Sequence, residues 1–213
     1  MNIIKVDQLQ PDHSSVIAAA DLLLQGMPIL HPTETVYGLA GLYNNMYAIR
    51  RLNELKSRTP GQPYSIMVNK VEEMLDMSGV QSIWLKKVLN RIFPGALTIL
   101  IPRKKKLDLP YWNQFKKIGF RLPDHPLCNQ LLQEVGTPII TTSANRSGDR
   151  PAVSVNDLPP EFLEKIPLIL DGGPTISRKP STIIEMNDDF FSFHLIREGA
   201  IPWQVLEKMI ADS

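Results

Sequence analysis

Short apolar runs and helix-periodic segments alternate along this chain with no long hydrophilic break, and that alternation restricts the fold more than any single motif. Apolar residues at Val16, Ile17, Ala20, Leu23 and Leu24 recur at helical spacing, with Asp12 or Ser14 as a cap and Gly26 as the stop. The run MPIL (27–30) follows, and helical spacing returns at Met46, Ile49, Leu52 and Leu55. YSIMV (64–68), LTILIP (97–102), KIGFR (117–121), PIITT (138–142) and PLIL (167–170) read as strands. VQSIWLKKVLNRIF (80–93) reads as a helix halted by Pro94-Gly95, and PLCNQLLQEVG (126–136) as a helix between two strands. STIIEM (181–186), SFHLIR (192–197) and a closing helix, PWQVLEKMI (202–210), complete the chain. The pattern predicts a single α/β domain over residues 1–213, built on a mixed sheet with helices on its faces.

Composition excludes several classes. Hydrophobic residues make up 43% of the 213 and charged residues 21%, enough apolar material for one sizeable core. A net charge of +1 gives no global polycation for nucleic acid. Cys128 stands alone, so no internal disulfide can form; a small buried hydrophobe in a reducing compartment is the simplest reading. The N-terminus MNIIKVDQLQPDHSS lacks a signal peptide's apolar region, and no run reaches the roughly 20 apolar residues of a membrane span. A soluble cytoplasmic protein is expected.

The chemistry sits in four polar segments that follow strand candidates and are shaped by Gly or Pro: HPTETVYG (31–38), LKSRTPG (55–61), FRLPDHP (120–126) and TTSANRSG (141–148). Each alone fits an ordinary turn or the solvated end of a helix. Together they offer open hydroxyls, three cations (Lys56, Arg58, Arg121), the imidazole of His125 and an amide. That set suits a nucleotide triphosphate and a small carboxylate, because cations and hydroxyls make charge-assisted bonds to their oxygens. GxxxxGK[ST], GxGxxG, HExxH, paired CxxC and GxSxG patterns are all absent from the sequence. A second basic feature, RKKK (Arg103–Lys106) with Lys116 and Lys117, is interleaved with Tyr111, Trp112 and Phe115. It would suit a weak RNA contact, with aromatics stacking on bases.

The ordered set HPTETVYGLA, K-x-R at 56–58, FPGALTIL at 93–100, GFRLPDHP at 119–126, TTSANRSG at 141–148, STII at 181–184 and IREG at 196–199 closely resembles the YrdC/YwlC-like family. The best-understood members of that family are L-threonylcarbamoyladenylate synthases. The resemblance implies a twisted open α/β fold with a deep, positively charged concave cleft. It implies nucleotidyl transfer from ATP, with Mg²⁺, that joins L-threonine and bicarbonate into threonylcarbamoyl-AMP and pyrophosphate. Downstream proteins would use that adenylate to modify a tRNA adenosine.

Carried over by position, the resemblance gives Lys56 and Arg58 to the ATP phosphates as the catalytic cations. It gives Arg121, Asn145 and Arg197 to the nucleotide, and Thr33, Thr35, Tyr37, His125, Ser143 and Ser181 to threonine. The family's synthases carry a His near the threonine where this chain has Met67 in RTPGQPYSIMV. In that run the chain looks like the YciO-type branch, a nucleotide- or RNA-binding alternative with weak or no synthase activity. The intact SANRSG favours the synthases.

Overall fold

The computed structural model describes residues 2–57, 61, 63–189 and 191–212. Ten strands form one sheet: β1 (Asn2–Lys5), β2 (Ile29–His31), β3 (Gly38–Leu42), β4 (Ser65–Met67), β5 (Leu97–Pro102), β6 (Lys117–Arg121), β7 (Ile139–Ser143), β8 (Leu168–Asp171), β9 (Thr182–Met186) and β10 (Phe193–Arg197). Among the described residues eight α-helices surround it: α1 (His13–Leu24), α2 (Met46–Lys56), α3 (Val71–Ser78), α4 (Ile83–Ile92), α5 (Pro110–Asn113), α6 (Pro126–Val135), α7 (Pro160–Leu163) and α8 (Trp203–Ala211). The strand order is β1-β8-β2-β3-β7-β4-β6-β5-β9-β10, and the pairings are mixed. The expected open mixed sheet is therefore present.

Local chemistry sets the boundaries. Asp12 caps α1 by accepting from the Ser15 backbone N–H, and Ser82 caps α4 by accepting from that of Leu85. Helix α6 starts on Pro126, whose missing N–H would be unpaired in a first turn anyway, and ends on Gly136 at φ 68°.

Successive strand residues point to opposite faces, so each strand feeds two layers. Leu39, Ile66, Ile140 and Phe120 join α2, α4 and α8 in the larger apolar cluster. Ala40, Leu42, Met67 and Ile139 face the other way, into a cluster with α1 and α6. Moving along that second face, the residues two positions on are Gly38, Ser65 and Thr141, and there the apolar layer gives way to a polar cavity.

The basic and aromatic segment around residue 111 packs one of its three rings into the core and half-buries the other two. Trp112 is fully buried and donates its indole N–H to the Tyr43 carbonyl at 2.7 Å. Tyr111 and Phe115 pack edge-on against it and against the core. Arg103 donates to the carbonyls of Phe115, Lys105 and Asn113, and Lys117 pairs with Glu185 at 2.7 Å. Trp112 thus fills the core, while Tyr111 and Phe115 are half-buried against it. No helix among the described residues is long and apolar enough to cross a membrane.

Candidate functional site

A cavity of about 250 Å³ lies on the second face, over β3, β7, β4, β6, β5, β9 and β10. Four sequence-predicted residues line it together: Tyr37, Arg121, Ser143 and Ser181, with Arg197 as a fifth. Among the described residues that lining holds two arginines and no carboxylate, and Arg121 is ion-paired behind it with Glu34. Tyr64, Ser65, Thr98, Thr141 and Thr142 complete much of the polar surface and were not singled out from the sequence. Thr141 and Thr142 open the quoted TTSANRSG segment, and the period-2 alternation of a strand could have shown that one of them shares the face of Ser143.

The loop after β7 is held from three sides. Ala144 donates its N–H to Tyr37 O at 2.7 Å, and Ala152 donates back to Ala144 O. Ser147 donates to the backbone carbonyl of Lys56, the last residue of α2. Lys56 is only 4% exposed, and its ammonium donates to Ser143 O at 2.7 Å, Asn145 O at 3.0 Å and Asn145 Oδ1 at 3.1 Å. Ser143 Oγ also donates to Asn145 Oδ1, at 2.5 Å, while Asn145 Nδ2 donates to the carbonyls of Arg146 and Asp149. Lys56 therefore sits under the loop, outside the cavity lining. Arg58, its predicted companion, lies outside the described residues.

The PTET segment carries a directed chain of hydroxyls. Thr33 Oγ1 donates to Val36 O at 2.7 Å, which uses its one proton; the bond to Thr35 Oγ1 at 2.8 Å is then donated by Thr35. Thr35 Oγ1 in turn accepts from Arg121 Nη2 at 3.1 Å. The same guanidinium nitrogen pairs with Glu34 Oε1 at 2.6 Å, with both side chains about nine-tenths buried. Glu34 Oε2 and Arg121 Nε have no partner among the described residues. The two threonines thus orient Arg121 at the cavity wall, and neither lines the cavity.

Tyr37 is positioned differently from expectation. Its hydroxyl donates to Gly173 O at 2.8 Å and accepts from Gly172 N–H at 3.0 Å, so the polar end is occupied by the loop after β8. Burial pushes its phenol well above the usual range. His125 is fully buried ahead of α6, with Nε2 3.3 Å from Gln8 Oε1 and Nδ1 without a partner among the described residues; it does not line the cavity. Burial lowers its pKa, Arg121 adds to that, and Glu34 opposes it. Ser181 shares a 2.8 Å hydroxyl contact with Thr98, and Arg197 donates to Ser181 O at 2.8 Å. Burial, then Arg121, lowers the Arg197 pKa. Met67 is fully buried among apolar residues beneath α1 and α6 and does not line the cavity.

Comparison with known proteins agrees with this geometry. The Sua5/YciO/YrdC family model, described as telomere recombination, matches residues 21–199. A putative threonylcarbamoyl-AMP synthase of Methanocaldococcus jannaschii is 35% identical over 186 residues, covering 87% of this chain and 86% of its own. The threonylcarbamoyl-AMP synthase of Bacillus subtilis is 32% identical over 205 residues, or 96% of this chain, but this chain spans only 59% of that relative's length. The crystal structure of Sua5 from P. abyssi in complex with L-threonine superposes with a TM-score of 0.89 at 28% identity, covering 99% of this chain and 61% of that one.

Proposed function

Since the chain belongs to the Sua5/YciO/YrdC family, we propose that it is an L-threonylcarbamoyladenylate synthase, acting on L-threonine, bicarbonate and ATP. The observation that carries this reading is the single cavity wall on which Ser143, Ser181, Arg121 and Arg197 meet with no carboxylate among them. Those groups come from segments up to 76 positions apart in sequence, and the sheet order brings them together.

In the reaction, the threonine amine adds to the carbon of bicarbonate-derived CO₂ and loses a proton, giving a carbamate. A carbamate oxygen then attacks the α-phosphorus, the bond to the β-phosphate oxygen breaks, and pyrophosphate leaves. Negative charge grows on phosphoryl oxygens, so fixed cations and preset hydroxyls do most of the work, and no side chain need become covalently attached. Arg121 and Arg197 supply the positive wall, Arg121 held by Glu34 and Thr35, and Thr35 in turn by Thr33. Ser143 and Ser181 offer hydroxyls to the amino acid. Asn145 and Lys56 fix the loop that presents Ser143, and Arg58 remains the proposed phosphate ligand of the K-x-R pair.

Mg²⁺ would enter as the counter-ion of ATP. Among the described residues no group of three His, Cys, Asp or Glu side chains is placed to hold a metal, and the cavity lining offers it no carboxylate. The adenylate would pass to proteins that modify tRNA. Pyrophosphate release from ATP that requires both threonine and bicarbonate tests the reading; ATP turnover indifferent to threonine would refute it.

A further inference from the structure

Glu34 stands between Thr33 and Thr35, behind the cavity wall and outside its lining. Its Oε1 accepts from Arg121 Nη2 at 2.6 Å, and Thr35 Oγ1 accepts from the same nitrogen at 3.1 Å. A terminal guanidinium nitrogen carries two N–H groups, so both groups of Nη2 are used. Arg121 Nε is buried and has no partner among the described residues. Nη1 also has no partner among them but is not sealed off, so it is the arm that reaches the cavity.

Both backbones that carry this pair are fixed by bonds of their own. Arg121 ends β6 opposite Met67, and its carbonyl accepts from Val68 N–H at 2.9 Å. The carbonyls of Glu34 and Thr35 accept from Ser177 N–H at 2.9 Å and Thr175 Oγ1 at 2.8 Å, both in the loop after β8. Thr175 N–H donates in turn to Val153 O. A carboxylate and a guanidinium on such anchored backbones have little freedom to part, so the pair sets the orientation of the Arg121 side chain. Without that hold a long arginine would give up its rotamer freedom only on meeting a ligand, which weakens binding. Charge acts in the same direction. A guanidinium this buried is costly with no counter-charge, and Glu34 supplies one from outside the cavity lining.

We propose that Glu34 is a positioning residue for anion binding: it holds Arg121 by Nη2 and so leaves Nη1 directed at an anionic oxygen of the substrates. The nucleotide phosphate and the threonine carboxylate can each supply such an oxygen. This deepens the synthase reading and rests on it for the identity of those ligands. Glu34 acts through Arg121 alone, because its Oε1 is bonded to that arginine and its Oε2 is buried away from the cavity.

The test is a double-mutant cycle read by calorimetric titration with a non-hydrolysable ATP analogue and, separately, with L-threonine. Glu34→Ala is expected to weaken binding of at least one of the two about tenfold or more, and the ligand affected identifies the source of the oxygen. Glu34→Gln keeps an acceptor for Nη2 but loses the charge, so it should recover part of that loss. In an Arg121→Gln background, where no guanidinium is left to position, Glu34→Ala should change the same affinity by less than about twofold. A merely structural role for Glu34 would give the same loss in both backgrounds. Melting curves identify any variant that has lost its fold. Should Glu34→Ala be one, Glu34→Gln carries the comparison, with a loss of about threefold that disappears in the Arg121→Gln background. Unchanged affinity for both ligands, or a loss that persists without Arg121, would overturn the positioning role; wild type binding neither ligand would overturn it together with the synthase reading. The expected losses and their cancellation, with no adenylate formed, would instead refute the proposed function and leave the role of Glu34 standing.

Discussion

Lys56→Met separates two roles for this lysine, because methionine keeps an apolar stem and removes only the ammonium. In the structure Lys56 is only 4% exposed, and its Nζ donates to Ser143 O, Asn145 O and Asn145 Oδ1 at 2.7–3.1 Å. Each buried acceptor left without its donor costs about 1–3 kcal/mol. Removing a buried charge returns part of that, since the cost of its desolvation is no longer incurred. A net loss of about 2–4 kcal/mol results, which for a domain of this size lowers the melting temperature by on the order of 5–15 °C. Ser143 and Asn145 lose their support at the same time, so adenylate formation should fall about 100-fold. The assay pairs a thermal melt with pyrophosphate release. Loss of activity with a melting temperature unchanged within about 2 °C would refute the loop-holding role and leave Lys56 acting on phosphate alone.

Tyr37→Phe removes a hydroxyl that bonds Gly172 and Gly173, so stability should fall by about 1–2 kcal/mol while the threonine KM stays within about twofold; a tenfold KM rise would show that the hydroxyl reaches substrate. Met67→His places an imidazole in a fully buried apolar site, so we expect a loss of about 2–4 kcal/mol and no gain in threonine affinity; a lowered threonine KM would contradict the placement. Stability should also depend on pH through His31, whose folded pKa of about 3 lies below the ordinary 6.5. The unfolded chain binds the extra proton between those values, so this contribution is full above about pH 6.5 and is lost as pH falls toward 3, at about 1.4 kcal/mol per unit. The lowered pKa of His125 acts in the same sense. Denaturant titrations from pH 7 to 5 should show His31→Gln with a slope smaller by about one proton; an identical slope would refute the neutral buried imidazole.

Much of the fold is legible wherever a segment carries its own signal. Asp12 and Gly26 bracket α1, and LTILIP, KIGFR and PIITT become β5, β6 and β7. Strand β3 is not legible, because GLAGL has small residues with little preference for extended backbone. Its smallness is imposed by packing: a Cβ on Gly41 would meet Ala48 and Leu52 of α2 at 3.2 Å. The candidate site divides the same way. Motif order brings Ser143, Ser181, Arg121 and Arg197 to one wall, yet motif identity does not say which atom of a residue faces the ligand. The Tyr37 hydroxyl bonds a loop, the Thr33 hydroxyl bonds Val36 O and Thr35, and the Thr35 hydroxyl accepts from Arg121. Glu34, inside the same motif, became visible only through its ion pair with Arg121, 87 positions away.

Synthesis with ¹³C-bicarbonate, ATP, Mg²⁺ and L-threonine, followed by mass detection of the product, tests the central claim most directly. The expected product is an adenylate carrying the label in its carbamate carbon, formed together with equimolar pyrophosphate and absent when threonine is omitted. ATP bound at saturating threonine, with no labelled adenylate and no pyrophosphate, would contradict it.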